Sequence, residues 1–252
     1  MLTRRLIPTL LLRQGRLVKG VRYGEHRDAG NPPSITRAHA AQDADEVLLV
    51  DIDASREGRA PDFTAFAKVA EECTMPLTLG GGLINFDLAQ KAMHTGADKL
   101  AFTGPALDNP ALLDAVARRF GAQAVVLGLD ILQDETGAYS LYDYRTGTIV
   151  ANRTPTAWAK EAVDRGAGEI RLMAVHREGT RLGFDLDLYR LIADAVSVPI
   201  ILEGGAGALD HLDAAMAAGV EALGLGTMLV FSDNNIVKLR QYLLGCGHVL
   251  RR

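Results

Sequence analysis

Met75-Pro-Leu-Thr-Leu-Gly-Gly-Gly82 and Val198-Pro-Ile-Ile-Leu-Glu-Gly-Gly205 follow one pattern: a proline, a short apolar run, then consecutive glycines. A second pair, Thr95-Gly-Ala-Asp-Lys-Leu-Ala-Phe-Thr-Gly104 and Ala218-Gly-Val-Glu-Ala-Leu-Gly-Leu-Gly-Thr227, lies at the same offset of 123 residues (Met75 to Val198, Thr95 to Ala218). More loosely, Ile7-Pro-Thr-Leu-Leu-Leu12 matches Val126-Leu-Gly-Leu-Asp-Ile131. A chain that repeats at half its length is built from two related halves. Eight apolar runs of four to seven residues, at 6–12, 46–52, 76–79, 99–102, 124–129, 169–174, 199–202 and 222–225, lack strict polar alternation. They therefore read as parallel strands buried on both faces. Amphipathic stretches alternate with them at 62–73, 86–94, 110–120, 156–165, 186–195, 210–218 and 234–243, and Gly96, Gly121, Gly166 and Gly219 follow four of these as C-terminal caps. The expected fold is an α/β (β/α)8 TIM barrel made of two half-barrels, as one domain over 1–252. An open doubly wound sheet is the alternative, but it concentrates its glycines in one loop, and here they are distributed. The segment 133–153 is too long for a simple βα loop and reads as a hairpin turning at Arg145-Thr-Gly147.

Composition narrows the function. With 48% hydrophobic and 23% charged residues, the chain has the profile of a folded globular protein, not a disordered one. It has no apolar run long enough for a membrane span. A formal charge of −4 argues against nucleic acid as a main partner, since phosphate-backbone affinity needs clustered basic charge. The apolar residues after the basic start are followed by Arg13, Arg16 and Lys19, which suits a buried strand better than a secretory signal. Two cysteines, Cys73 and Cys246, read as free buried thiols of a cytoplasmic protein.

Barrel active sites lie at the C-terminal ends of the strands. Gly80–Gly82 with Thr103 and Gly104, and Gly204, Gly205 and Gly207 with Gly226 and Thr227, form two glycine clusters there. Exposed backbone N–H groups in such loops suit an anion, and two related clusters suit a substrate with a phosphate at each end. The structural alternative is a set of tight turns needing positive φ. Asp130 ends the fifth strand and Asp51 the second, with Asp53 just beyond. Each is a candidate general acid or base or, alternatively, a cap or ion-pair partner. The repeat places Leu11 where Asp130 stands in the other half. Lys19 and Arg16 are candidate anion holders or solvated charges. At the opposite end, Arg5, Glu46, Lys99 and Glu169 sit at strand starts and could close a ring of ion pairs; physics alone favours a stabilising plug there. The six histidines show no paired ligand spacing, so no metal and no cofactor is expected.

Arg5-Leu-Ile-Pro8, Gly15-Arg-Leu-Val-Lys-Gly20, Arg27-Asp-Ala-Gly-Asn-Pro32, Leu49-Val-Asp-Ile52, Thr78-Leu-Gly-Gly-Gly82, Gly96-Ala-Asp-Lys99, Gly166-Ala-Gly-Glu-Ile170, Arg177-Glu-Gly-Thr180 and Gly204-Gly-Ala-Gly207 together resemble the cyclase subunit of imidazole glycerol phosphate synthase along essentially the whole chain. The resemblance implies a barrel partnered by a glutaminase on its bottom face. Ammonia would travel through the interior to the top, where a bisphosphorylated ribulosyl substrate is cleaved and cyclised. By position it makes Arg5, Glu46, Lys99 and Glu169 an ammonia gate, puts Asp98 near the glutaminase, and makes Asp130 one of two catalytic aspartates. It also assigns Gly82, Thr103, Gly104, Glu178, Gly179, Gly204, Gly205, Gly226 and Thr227 to phosphate binding.

The departures are concentrated at the top. The other catalytic aspartate of the family falls at Leu11, within Pro8-Thr-Leu-Leu-Leu12. Thr103-Gly104 stands where Asn followed by Thr or Ser is usual, Glu178 replaces Asp, Glu203 replaces Ser, and Met173-Ala-Val-His176 replaces a Thr/Ser-rich strand end. Leu10-Leu-Leu12 resembles a divergent branch of the family with Leu-Leu-Leu in the first strand, and that resemblance implies ammonia supply to a separate sugar amidotransferase that makes acetamidino sugars of surface polysaccharide. The resulting expectation is an ammonia-channelling subunit with altered top-face chemistry. The alternatives are a working histidine-pathway cyclase using Asp130 with Asp51 or Asp53, and a scaffold that only stimulates its glutaminase.

Overall fold

A computed structural model describes residues 4–251; positions 1–3 and 252 of the expected domain lie outside the described residues. Eight strands close a parallel barrel in the order β1 (Arg5–Arg13), β4 (Val47–Asp51), β5 (Leu77–Gly80), β6 (Lys99–Phe102), β7 (Val125–Gln133), β10 (Glu169–Ala174), β11 (Ile200–Glu203) and β12 (Ala222–Leu225), with β12 pairing back onto β1. Four further strands form two antiparallel hairpins, β2 (Arg16–Val21) with β3 (Gly24–Gly30), and β8 (Tyr139–Asp143) with β9 (Thr148–Ile149). Each hairpin extends the first strand of a half: β2 pairs with β1, and β8 with β7. The half-barrel repeat is thus visible in the topology.

The main helices outside the barrel are α1 (Pro32–Ala40), α2 (Phe63–Glu72), α3 (Phe86–His94), α5 (Ala111–Phe120), α6 (Pro155–Asp164), α7 (Leu186–Ala193), α8 (Leu209–Ala217) and α10 (Ile236–Gly245). Two short ones, α4 (Gly104–Asp108) and α9 (Thr227–Val230), follow β6 and β12 at matching places in the repeat. Side-chain caps start most of the long helices. Asp62 accepts from the Ala65 amide at 2.9 Å at the start of α2. Asp62→Ala should lower stability by about 1 kcal/mol, read as a shift of the denaturant midpoint at unchanged slope. The four expected cap glycines, Gly96, Gly121, Gly166 and Gly219, all have positive φ.

Two apolar layers result. The larger lies between barrel and helices, where Phe66, Trp158, Leu188 and Leu239 are fully buried. The smaller fills the barrel interior with Ile7, Leu48, Ala101, Val126, Ile201 and Ala222. Alternate residues along each strand face these two layers, which explains why the barrel strands carry almost no polar positions.

The structure departs from the sequence reading in three places. The segment 16–30, for which no element was expected, is the β2–β3 hairpin, and α1 was not anticipated. Cys246 is exposed and Cys73 only partly buried, so the thiols are free but not both interior. The expected 133–153 hairpin is present as β8–β9.

Candidate active site

At the N-terminal mouth the four strand-start charges form a closed ring. Arg5 donates to Glu46 at 2.7 Å and to Glu169 at 2.5 Å; Lys99 donates to the remaining oxygens of the same two carboxylates at 2.9 and 2.8 Å. Opposite signs alternate around the ring, and every carboxylate oxygen has a cation. Burial alone would lower the Arg5 pKa, but Glu169 and Glu46 outweigh it and the guanidinium is raised well above its ordinary value. Burial would likewise raise Glu46, yet Arg5 and Lys99 hold it below the usual carboxylate range. Asp98 adjoins the ring and accepts from the Leu77 amide at 2.8 Å.

At the C-terminal mouth the candidate phosphate residues line two cavities. The larger, of ≈ 260 Å³, is bordered by Gly81, Gly82, Thr103, Gly104, Asp130 and Tyr144; the smaller, of ≈ 40 Å³, by Lys19, Glu178, Gly179, Gly205, Gly226 and Thr227. Gly204 also faces the smaller cavity. Leu11, Tyr23 and Arg171 border both and form the wall between them. The glycines are structurally required here: a Cβ on Gly81 would fall 2.0 Å from the Asp51 carbonyl oxygen, and Gly81 has φ +88°. Turn geometry and anion binding are therefore compatible readings of the same residues.

Asp130 is buried at the end of the barrel part of β7, and its Oδ1 has no hydrogen-bond partner. Burial pushes its carboxyl up to about 6; Arg171 and the Tyr23 hydroxyl pull it down, and Glu203 and Asp143 push it up. A buried carboxyl raised toward neutrality, on a residue that borders a cavity and has one oxygen without a partner, is suited to proton transfer. Burial also raises the Tyr23 phenol well above its ordinary value, so it keeps its proton beside Asp130.

Other expectations resolve differently. Asp51 is 1% exposed and borders neither cavity. Its oxygens accept from Arg59 at 2.8 and 3.0 Å and from the amides of Ala54 and Asp62, so the structure gives this candidate acid the contacts of a loop staple. Asp53 does border the larger cavity and pairs with Arg13 at 3.0 Å. Lys19 is inward, buried and ion-paired with Glu178. Leu11 stands on the dividing wall with no titratable atom. Glu203 points into the barrel, accepting from Thr9 Oγ1 at 2.6 Å and from Arg171 Nε and Nη2 at 2.9 and 2.6 Å. His176 bonds to Asp185 and accepts from the Gln133 amide, a structural role.

Tyr23 and Arg171 were missed by the sequence reading. Tyr23 follows Arg22 at the tip of the β2–β3 hairpin, and both have positive φ, 48° and 64°, as a two-residue type I′ turn requires. This turn usually takes Asn-Gly, so the strain hides the hairpin in the sequence and marks the site in the structure. The tip is pinned where the Arg22 amide donates to the Glu178 carbonyl at 3.0 Å and the Tyr23 amide to the Glu178 side chain at 3.2 Å. Arg171 left a signal: a charge in the middle of a doubly buried strand requires a buried partner.

A profile of the histidine biosynthesis proteins matches residues 5–234. The chain belongs to that family. Its relatives include imidazole glycerol phosphate synthase subunits HisF of Alkaliphilus metalliredigens (37% identical, all of both chains), Nocardioides sp. (39%, 98% of both) and Acidobacterium capsulatum (40%, 89% of this chain and 92% of the other). Among the described residues no cluster of His, Cys, Asp and Glu could hold a metal ion, and no helix is long and apolar enough to cross a membrane.

Proposed function

We propose that the chain is the cyclase-type synthase subunit of a glutamine-dependent amidotransferase, forming imidazole glycerol phosphate as its relatives are named for. In this reading a glutaminase docks on the N-terminal face beside Asp98, in the cytoplasm. Ammonia enters at the ring of Arg5, Glu46, Lys99 and Glu169 and passes the apolar interior layer. Asp130 acts as the one proton-transferring carboxylate of the chamber. The observation that carries this is the closed four-charge ring, in which a doubly bonded carboxylate stands on either side of Arg5 and Lys99. The ring lies at the opposite end of the barrel interior from the cavity that Asp130 borders, with the apolar layer between them. The phosphorylated substrate would place one phosphate at Gly82, Thr103 and Gly104 and the other at Gly179, Gly205, Gly226 and Thr227.

A second reading rests on Leu11 and Glu203. The removed acid and the carboxylate under the second glycine loop weaken the chamber for a bisphosphate. Ammonia would then pass to another acceptor, such as that of a sugar amidotransferase. Turnover of the bisphosphorylated ribulosyl substrate with ammonium salt, without any glutaminase, separates the two. Measurable turnover that rises with pH as ammonium deprotonates supports cyclisation. Absence of turnover by the folded protein excludes it and leaves the second reading.

A further inference from the structure

Arg171 is 7% exposed and Glu203 2%, and the pair lies inside the barrel between the apolar layer and the chamber. Arg171 is in register with Gly128 on one side and Ile201 on the other; Asp130 and Glu203 are both in register with Met173, one inward-facing step higher. The backbone therefore offers the guanidinium two flanking carboxylates. A buried cation must pair with one of them. Two local features decide for Glu203: Thr9 holds its Oε1 at 2.6 Å, and Gly224 leaves the space in which it lies. A Cβ on Gly224 would fall 2.1–2.5 Å from Glu203 Cγ, Oε1 and Cδ. Both Arg171 donors then close on Oε2, while Asp130 Oδ1 is left without a partner.

We propose that Glu203 is a positioning residue for Asp130: it ties the Arg171 guanidinium to the barrel wall and thereby keeps the Asp130 carboxylate free to exchange a proton. This rests on the reading of Asp130 as the proton-transferring group. The other groups that act most strongly on Asp130 are Tyr23 and Tyr144, which keep their protons, and Asp143, which is paired with Arg145; Arg22, His26, Arg56 and the Arg13-paired Asp53 line the same cavity. None of them competes for Arg171. Paired with Arg171, Asp130 would be locked as a carboxylate and could serve as neither acid nor useful base near neutrality.

The test is the titration of the Asp130 side-chain carbon by NMR, which needs no substrate. In the wild-type chain the midpoint should lie near 6. In Glu203→Gln, Arg171 should turn to Asp130, and the midpoint should fall by about two units, a roughly 100-fold loss of proton affinity. Gly224→Ala should give a drop of the same sign by displacing the tip of Glu203 with all charges retained; it covers the case in which Glu203→Gln does not fold. Arg171→Leu combined with Glu203→Leu should return the midpoint to 6 or above. A midpoint unchanged in the single variants, or still low in the double variant, overturns the proposal. If the chain proves to act on another substrate, the titration keeps its meaning, and only its link to turnover is lost.

Discussion

Asp130→Asn should yield a more stable and inactive protein. The group is buried with a carboxyl raised from 3.8 to about 6, burial being the main cause. Above pH 6 the folded state must hold an ionised carboxylate that the unfolded chain ionises more easily. This opposes folding in full above pH 6, and the penalty fades as pH falls from 6 to below 3.8. Asparagine removes it, so the variant should gain on the order of 2 kcal/mol at pH 7 and almost nothing at pH 3.5, read from paired denaturation curves. Removing a general acid–base group typically costs about 10²–10⁴-fold in rate. No titratable side chain at Leu11 shares the task, so the loss in ammonium-dependent turnover should fall toward the upper end of that range. Greater stability with lost activity is the signature of a functional strain. A purely structural Asp130 would instead make the variant less stable.

Glu169→Ala should be the costliest single change at the other mouth. It removes one carboxylate that serves both Arg5 and Lys99 and leaves Glu46 to answer two cations. Breaking one side of a buried pair costs about 3–5 kcal/mol, to be measured as a shift in denaturant midpoint. The ring also has a pH signature opposite to that of Asp130. Glu46 is held below its ordinary 4.5 by Arg5 and Lys99 against the effect of burial. Its contribution is therefore present above pH 4.5 and lost as pH falls below it. In the double variant Arg5→Met with Glu169→Leu, much of the stability should return, because apolar replacement of a buried pair is often nearly neutral. Restored stability without restored nitrogen transfer would separate the ring's two roles.

The barrel was legible because doubly buried strands are short apolar runs, and because Met75–Gly82 repeats at Val198–Gly205. Asp130 and the four ring charges were legible because they sit at strand ends, where the fold assigns meaning to position. The β2–β3 hairpin was not, since Arg16, Lys19, Arg27 and Asp28 mask its alternation and Arg22–Tyr23 replaces the usual turn residues. The surroundings of Asp51 were hidden for a related reason: a strand-end carboxylate reads as a candidate acid, and only the fold shows Arg59, eight residues later, turning back onto it. The Arg171–Glu203 pair was hidden because its members lie on neighbouring strands whose shared interior appears only when the barrel closes. Glu203 was recognised as an anomaly, but its inward direction and its cation follow from register alone.

In the proposed function, nitrogen crosses this chain from ring to chamber. This passage is tested by supplying amide-15N glutamine, a family glutaminase and the bisphosphorylated ribulosyl substrate, with excess unlabelled ammonium in solution. Product carrying predominantly 15N, with the label lost in Glu169→Ala, is the predicted result. Unlabelled product, or labelled product unaffected by opening the ring, would contradict it.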